Sequence, residues 1–584
     1  MGQHPLSTLR VVAAFHASGR RRHSIYAAPL TFIEAASIPV LAQVPRPWTR
    51  LRRGTGTDAR QTAMTHFSWW IDGSIVGLYL LATMVAGVMV RRYVGKVEHF
   101  LVAGREVNVY LGIASLAATE FGVITCMYTA EAGYRYGFAG ATPGIITALC
   151  MMFVGLTGFC IKPLRTAGVM TIPELFEKRF GPRIRWAAGL VIVLGGLLNM
   201  GVFLRITGEF LVLVCGFNIQ HLEAYVVIMM TALLLLGTIY TVVGGMLSVL
   251  VTDFLQFIVM SAGLIAVTVL ILVQIGWGKL TAAVTAHYGA GGFNPFTHPD
   301  LGWQYVAFNS FLALANVLTW QTTISRVLAA KDATTARKIY TRTSFFFACR
   351  FLIPGIWGIA ALAVLGPGAV AALVPGATVE KLTLYPMPIF LCRTLPVGLM
   401  GLLIAAMLAA DMSSTSSYMI TWATVIYNDI LAPFRKTQWS EKRGLRWNRI
   451  IVSLIGVFLL IYGLWYPLKG DVWAYLGVTG TIYLASMATL LIACCYWSRA
   501  NNWGAAGAIF FGALIPLSFL ALQQIPATAP LAKEIGPYYS GMAAYVAAGT
   551  AMVVGSLLKS VLAPQRLAEG EPVPAAVGLS GGER

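Results

Sequence analysis

A short run of small polar residues, able to bind a cation, lies within a long apolar segment of this chain. Residues 409–417 read AADMSSTSS, with four serines, a threonine and an aspartate. Ala410, Ser413, Ser414 and Ser417 are spaced i, i+3, i+4 and i+7, so they form one stripe on an α-helix. Adjacent hydroxyls and a helix carbonyl suit a small cation that prefers hard ligands. The alternative is a packing face, because small residues let membrane helices approach closely.

A second apolar segment is a poor candidate for a continuous helix. Residues 107–134 contain Gly112, Gly122 and Gly133 together with β-branched and acidic residues. Interrupted helices at membrane depth line cavities, and their freed carbonyls bind coupling ions. Glu120 would lie at such an interruption. Its alternative role is a protonated side chain that is hydrogen-bonded to a neighbouring helix.

Other ionisable residues in apolar segments are also candidates for function, because burying a charge in the membrane is costly. Asp253 follows a Gly-Gly pair, and we expect it to form a second ion site or an exit relay, or else to pair with helix amides. Arg205 and Glu209 are i, i+4 neighbours that we expect to form a structural pair. Arg350 is assigned to a cytoplasmic helix end, where its side chain would snorkel to the interface.

The composition predicts an integral membrane protein. Of 584 residues, 57% are hydrophobic and 11% are charged, and the mean hydropathy is +0.73. About 20 apolar residues cross a bilayer, and thirteen segments of about that size or longer occur. They span residues 70–90, 107–134, 140–160, 187–214, 222–241, 248–275, 302–324, 343–366, 397–428, 449–467, 472–496, 503–523 and 537–558.

Charge in the connecting segments predicts the orientation. If the first span runs inward, the inner connections and the C-terminus hold 25 Lys and Arg residues and the outer connections hold 6. Basic residues concentrate on the cytoplasmic side, so we expect a multi-pass cell-membrane protein with its N-terminus outside and its C-terminus in the cytoplasm. The net charge of +19 then needs no nucleic-acid partner.

The termini form separate regions in this interpretation. Residues 1–63 carry nine arginines but are assigned to the outside. They are a basic disordered extension, a targeting segment or, the interpretation that we favour, the product of a mis-assigned start before Met64. A transmembrane domain follows over 64–562, and 563–584 form a short cytoplasmic tail.

Motifs of enzymes are absent from the sequence. It contains neither a phosphate-binding loop nor HExxH, and Ser413 has no His or Lys at catalytic spacing. The eight cysteines show no metal-ligand spacing. We therefore expect no enzymatic activity and no organic cofactor.

Four stretches resemble the sodium:solute symporters, a family that includes sodium-coupled sugar, proline and sialic-acid carriers. They are FLVAGREVNVYLGIASLAATEFG, TIPELFEKRFGPRIR, GGMLSVLVTDFLQ and LPVGLMGLLIAAMLAADMSSTSSYMITWATVIYNDI. The resemblance implies an all-α polytopic fold of about 13 transmembrane helices with a five-plus-five inverted repeat, the LeuT-like fold. Spans 2–6 and 7–11 would form the repeats, and an interrupted helix would open each.

The resemblance also implies a sodium site. Its ligands would be the carbonyls of Ala118, Phe121 and Ala410 and the hydroxyls of Ser413 and Ser414.

Further ion-linked residues follow from the same resemblance. Asp253 would serve a second ion site or sodium release, with Ser416 and Ser417 as additional ligands. Glu120 matches a position where relatives have Asp or Asn. Asp411 departs from the usual apolar residue and is a candidate to bind a proton or a cationic group.

Candidate solute contacts carry over to five positions. They are Gly122, Thr125, Asn199, Trp320 and Gln321. Asn199 replaces the arginine with which sialic-acid carriers hold a carboxylate, and Ser325 replaces the usual glutamine before Arg326.

The predicted function is sodium-coupled symport of a small organic solute by alternating access. The partners are the solute and the lipid bilayer, with no obligate protein partner. One alternative is a proton-coupled carrier that uses Glu120, Asp253 and Asp411, and another is a membrane sensor without transport. The sequence leaves the solute open among sugars, amino acids and carboxylates.

Overall fold

A computed structural model describes residues 67–90, 105–217, 221–374, 379–431, 434, 439–466 and 471–562. The predicted extension 1–63 and tail 563–584 lie outside the described residues. The described part of the chain is almost entirely helical, and its β-structure is a parallel bridge between Val107 and Ala330.

The helices follow one another along the chain, and we number them in that order. They are α1 Ile71–Val90, α2 Val109–Glu120, α3 Val123–Tyr136, α4 Thr142–Thr157, α5 Ile161–Thr166, α6 Ile172–Phe180, α7 Pro182–Met200, α8 Phe203–Val214, α9 Leu222–Ile275, α10 Trp277–Tyr288, α11 Gly302–Thr319, α12 Gln321–Ala329, α13 Ala333–Leu365, α14 Ala369–Leu373, α15 Val379–Leu384, α16 Pro386–Thr394, α17 Leu399–Val425, α18 Glu441–Trp465, α19 Val472–Tyr496, α20 Asn502–Gln524 and α21 Ala529–Leu562. Single turns of 3₁₀-helix cover Gly137–Ala141 and Gly289–Gly292, and a π-turn, Ile426–Ile430, extends α17.

Each of the thirteen predicted spans falls on helix. By length and composition, ten helical stretches of the described residues can cross a membrane, and one of them, Val123–Thr157, joins α3 to α4. The predicted spans 222–241 and 248–275 lie in α9, which is kinked at Gly245 (φ 60°, ψ −161°). Glycine adopts this positive φ without the steric penalty that a side chain would add.

Two of the predicted spans are interrupted by extended backbone within the described residues. The chain leaves helical geometry at Phe121 (φ −117°, ψ 92°) and Gly122, between α2 and α3. It does so again at Trp320 (φ −62°, ψ 111°), between α11 and α12. The last carbonyls of one half-helix and the first amides of the next therefore lack helical partners. These interruptions lie in the spans that open the two predicted repeats.

Glycines let α3 and α13 pack backbone against backbone. A Cβ atom on Gly133 would lie 2.1 Å from the carbonyl oxygen of Gly355, and one on Gly358 would lie 1.9 Å from that of Ala130. Neither distance is possible for a larger residue without a shift of the helices. This close approach holds the second half of α13 against the second half of α3.

Helix α17 is enclosed by protein. Every residue over 403–425 is buried, and the helix packs against α1, α2 and α9. The polar stripe predicted on this helix therefore faces other helices, where its hydroxyls find hydrogen-bond partners.

Candidate functional site

The stripe on α17 meets the interruption between α2 and α3. Ser414 Oγ donates a hydrogen bond to the carbonyl of Thr119 (2.8 Å), and a Cβ atom on Gly122 would lie 3.0 Å from the same hydroxyl. The other predicted ligands at this junction, Ala118, Phe121 and Ala410, are also buried. Hydroxyls beside carbonyls without helical donors form a donor set that fits a small hard cation.

Ser413 connects this junction to Asp253 on α9. Its hydroxyl donates to Asp253 Oδ1 (2.5 Å), and Ser115 Oγ donates to Asp253 Oδ2 (2.5 Å). The carboxylate is completely buried. Ser413 therefore lies between the predicted sodium site and the predicted release residue.

A buried arginine lies where the second ion site was predicted. Arg326 on α12 is fully buried, 3.3 Å from Asp253 Oδ2, and donates to the hydroxyls of Thr119 and Ser417 (2.6 Å each). Ser416 Oγ instead donates to the carbonyl of Met412 on its own helix (2.7 Å). The guanidinium thus holds the Asp253 carboxylate and the Ser417 hydroxyl that were expected to bind an ion. Sequence reasoning named Arg326 without giving it this role, because the segment assigned to the membrane ended at residue 324.

A cavity opens beside the sodium-site residues. Ser414, Gly122, Thr125, Asn199 and Trp320 line it, so four of the five predicted solute contacts face one space that adjoins the stripe. The cavity has a volume of about 80 Å³, measured as the space that the centre of a water-sized sphere can reach. One water needs roughly 10–15 Å³ by this measure, so the space suits a small solute.

The fifth predicted contact, Gln321, is buried at the start of α12 but does not line this cavity. The sequence could not predict which way the Gln321 side chain points, because the backbone leaves helical geometry at Trp320, just before it. Aromatic rings supply much of the cavity wall. They include Tyr128, Trp320, Phe347, Phe351, Tyr418 and Trp473.

The cavity wall also contains an ion pair. Glu120 Oε1 accepts hydrogen bonds from the hydroxyls of Thr322 (2.8 Å) and Thr323 (3.0 Å), and Glu120 Oε2 lies 3.3 Å from a guanidinium nitrogen of Arg350. Arg350 also donates to the hydroxyl of Tyr128 (2.9 Å). Glu120 is therefore hydrogen-bonded to a neighbouring helix, as one of its two interpretations expected, but as the acceptor and the partner of an arginine rather than as a protonated donor, and it also faces the solute cavity.

The expectation that Arg350 snorkels is wrong. Its side chain is 12% exposed and lines the cavity. Helix α13 begins at Ala333, ten residues before the predicted span, so Arg350 lies roughly 25 Å along it rather than near its end. Pro354 also lies within this helix and cannot donate a hydrogen bond to the Arg350 carbonyl, which opens the helix beside the cavity.

Three further predicted residues lie outside the cavity. Asp411 is buried and accepts a hydrogen bond from Thr207 Oγ1 on α8 (2.7 Å). Arg205 and Glu209 pair at 3.3 Å, which confirms the expected structural pair.

Comparisons with known proteins agree with this architecture. The model of the sodium:solute symporter family matches residues 100–512. The chain is 26% identical to the sodium/mannose cotransporter of Bos taurus over 84% of this chain and 86% of the relative. It is 25% identical to the sodium/glucose cotransporter 1 of Oryctolagus cuniculus, over 76% of this chain and 71% of that protein.

A solved structure shares the fold. It is the substrate-bound outward-open state of a Na⁺-coupled sialic acid symporter, with a TM-score of 0.68 and 19% identity, over 84% of this chain and 97% of that one. The predicted all-α, LeuT-like fold, the resemblance and the sodium-coupled transport function are thereby confirmed. The protein is a secondary active transporter that couples sodium to a small solute, and it belongs to the sodium:solute symporter family.

Proposed function

We propose that sodium binds at the junction of α2 and α17. Its ligands are the carbonyls of Ala118, Phe121 and Ala410 and the hydroxyls of Ser413 and Ser414. The observation that supports this assignment is the hydrogen bond from Ser414 to the interrupted end of α2. Ser414 also lines the solute cavity.

Sharing Ser414 gives a physical route for coupling. A sodium ion on the Ser414 oxygen, whose hydroxyl can still donate to the Thr119 carbonyl, would hold the end of α2 against α17. That fixes the wall of the cavity on which Gly122 lies, so the solute meets a formed site. Coupling requires that sodium bind one conformational state more tightly than the other. One charge that moves through 100 mV supplies about 2.3 kcal/mol toward this cycle.

Release follows from the position of Ser413. Ser413 Oγ donates to Asp253 Oδ1, so a sodium ion that leaves the Ser413 oxygen reaches the Asp253 carboxylate next. The positive charge of Arg326 beside Asp253 disfavours a second cation on Asp253, Ser416 and Ser417. We therefore assign Asp253 to release and one sodium to the site.

The experiment is a titration of the purified full-length protein with sodium, with potassium at equal ionic strength as the control. Thermal stability and tryptophan fluorescence are the signals. We expect a sodium-specific increase in stability, about 2.7 kcal/mol at 100 times the dissociation constant. In the double variant Ser413→Ala, Ser414→Ala this increase disappears.

A matched variant separates ion binding from damage to the helix. Thr424→Ala removes a buried hydroxyl that bonds to the carbonyl of Ile420 in the same helix, away from the site. It should keep the full sodium response. If the serine variant kept the response as well, the proposed ligands would be wrong.

One observation supports a proton on Asp411 as a coupling ion in addition to sodium. Asp411 is buried with a hydroxyl as its partner, and among the described residues no lysine or arginine forms an ion pair with it. Asp411→Asn would abolish a pH-dependent uptake that runs on protons. If uptake depends on sodium and the variant keeps it, Asp411 has no coupling role.

The orientation is also part of this proposal. The N-terminus outside and the C-terminus in the cytoplasm place the connection 162–185, which contains α5 and α6, on the inner side. A fluorescent or phosphatase reporter fused at the C-terminus tests this assignment, because each is active on one side of the membrane.

A further inference from the structure

The cavity wall is electrically unusual for a site that binds a neutral solute. Among the described residues that line it, Glu120 and Arg350 are the charged ones. Burying charged groups is costly unless they are paired and hydrogen-bonded. A cavity that binds only the hydroxyl groups of a neutral solute does not need buried charged side chains.

Arg350 is the less satisfied member of the pair. Glu120 has three donors, two of which are the threonine hydroxyls of α12. In contrast, Arg350 Nε is buried and has no hydrogen-bond partner among the described residues, and the contact to Glu120 joins one guanidinium nitrogen. A guanidinium has five N–H donors that match a carboxylate in a two-pronged geometry. Arg350 therefore retains donors for a ligand.

The rings around Arg350 present it to the cavity. The guanidinium carbon lies 5.2 Å from the ring centroid of Phe347 and 5.7 Å from that of Phe351, and both rings line the cavity. Such contacts stabilise the charge without using its N–H donors. The two rings thus help to hold the arginine in place without competing with an anion.

The start of α3 supplies a second positive feature in the same cavity. Its N-cap, Gly122, has no side chain to bond the first amides of this 14-residue helix. Gly122, Ile124 and Thr125 all line the space. The N-terminus of an interrupted membrane helix carries partial positive charge and binds anionic solute groups.

Two of the three amide side chains that line the cavity are already engaged, and Asn316 is the third. Asn199 Nδ2 donates to the carbonyl of Leu476 (2.9 Å) and to Thr479 Oγ1 (3.0 Å). Asn309 Nδ2 donates to the carbonyl of Tyr305 (2.8 Å), and its Oδ1 accepts from Trp473 Nε1 (3.1 Å). A sugar needs many such partners for its hydroxyls, whereas a carboxylate uses the unpaired donors that remain.

We propose that the transported solute carries a carboxylate, which binds to Arg350 and the N-terminus of α3. Its apolar or aromatic body packs against Phe351, Trp473 and Trp320. Glu120 and Arg350 cancel in charge, so a carboxylate together with the sodium at Ser414 leaves the loaded site close to neutral. This inference rests on the proposed sodium site, since the ion and the solute share one wall.

Matched probes test the class of solute. 3-Phenylpropionate, phenylalanine and phenethylamine share a phenylethyl group. The first carries a carboxylate, the second a carboxylate and an ammonium, and the third an ammonium. Propionate, alanine and ethylamine repeat the series at smaller size, and glucose and myo-inositol represent neutral solutes. Stabilisation of the full-length protein in sodium and uptake into proteoliposomes are measured for each.

We expect the carboxylate-bearing probes to bind in sodium, and the amines, glucose and myo-inositol to bind at least tenfold more weakly. A response to phenylalanine or alanine alone identifies a zwitterion, and a response to 3-phenylpropionate or propionate identifies an acid without an ammonium. Binding of glucose or myo-inositol without binding of any carboxylate overturns the proposal. So does a lack of response to every carboxylate in protein that still responds to sodium.

Variants assign the binding to Arg350. Arg350→Gln should weaken the carboxylate roughly ten- to hundredfold, the loss expected for a charged hydrogen bond. Arg350→Lys should recover part of the affinity, because lysine keeps the charge but not the planar fork. Both should retain the sodium response, which shows that they are folded.

Arg205→Gln is the matched control. Arg205 is also an ion-paired arginine of a membrane helix, but it lies outside the cavity wall, and Lys381 still faces Glu209 at 3.3 Å after its removal. It should leave carboxylate binding unchanged. Equal losses in the Arg205 and Arg350 variants would overturn the assignment. Loss of the sodium response in unmodified protein would instead contradict the proposed function.

Discussion

Arg326 is fully buried and Arg350 is 12% exposed, and each pairs with a carboxylate, but they differ in how completely they are paired. The closest nitrogen-to-oxygen distance is 3.3 Å in each pair. Each nitrogen of the Arg326 guanidinium has a hydrogen-bond partner. Arg350 instead lies on the wall of a cavity, and its buried Nε has no partner in the part of the chain that the structure describes.

This difference separates structure from recognition. A fully satisfied ion pair has little to offer a ligand, and its charge fixes the local arrangement of helices. The desolvation cost of an incompletely paired arginine at a cavity is fully offset only when a ligand completes its hydrogen bonds. We therefore interpret Arg326 as a permanent positive charge beside the sodium site and Arg350 as the group that receives the solute.

The largest effect is expected from Arg326→Met. Removing the guanidinium leaves Asp253 charged and buried without its partner, which typically costs about 3–5 kcal/mol. Thermal unfolding of the purified protein measures this loss. Adding Asp253→Asn should recover most of the stability, because it removes the unpaired charge.

The sodium titration of Arg326→Met gives an independent result. Without the arginine, Asp253 and Ser417 become available to a second ion, so the titration should become steeper or gain a second phase. A variant as stable as the unmodified protein, with an unchanged titration, would contradict the role given to Arg326.

A smaller effect is expected from Glu120→Gln, which tests the pair in the cavity. The amide can still accept from the threonine hydroxyls, but it no longer balances the charge of Arg350. Stability without solute should fall by roughly 1–3 kcal/mol, and affinity for a carboxylate should rise several-fold. Stability with and without a bound carboxylate probe measures both.

The sodium affinity of Glu120→Gln decides where Glu120 belongs. If the residue acts only on Arg350, sodium affinity should stay within about twofold. A large fall in sodium affinity, with the carboxylate affinity unchanged, would place Glu120 with the ion rather than the solute.

The smallest effect is expected from Tyr128→Phe. The phenylalanine ring keeps the contact with Trp473, whose ring centroid lies 5.0 Å away, but loses one acceptor for Arg350. We expect a stability change of about 1 kcal/mol and a carboxylate affinity within a few-fold of the original. A loss as large as that in Arg350→Gln would show that the hydroxyl itself binds the solute.

Local features of the sequence predicted the spans well and the charged contacts poorly. A run of about 20 apolar residues is a local property, so all thirteen segments coincide with helix. Residues 333–342 are the first ten residues of α13, but they include Arg337, Lys338 and Arg342, so hydropathy excluded them from the predicted span. Because of that exclusion, Arg350 was assigned to a helix end and was not predicted to line the cavity.

The sequence by itself determined that the protein is a membrane-spanning bundle, that one helix is interrupted near Glu120 and that a polar stripe runs along the ninth span. Helical periodicity and hydropathy fix these features within short windows. Only the tertiary structure decided what the charged groups face. The pairs Asp253 with Arg326 and Glu120 with Arg350 join residues 73 and 230 positions apart. Contacts at such separations depend on how whole helices pack, which no local pattern encodes.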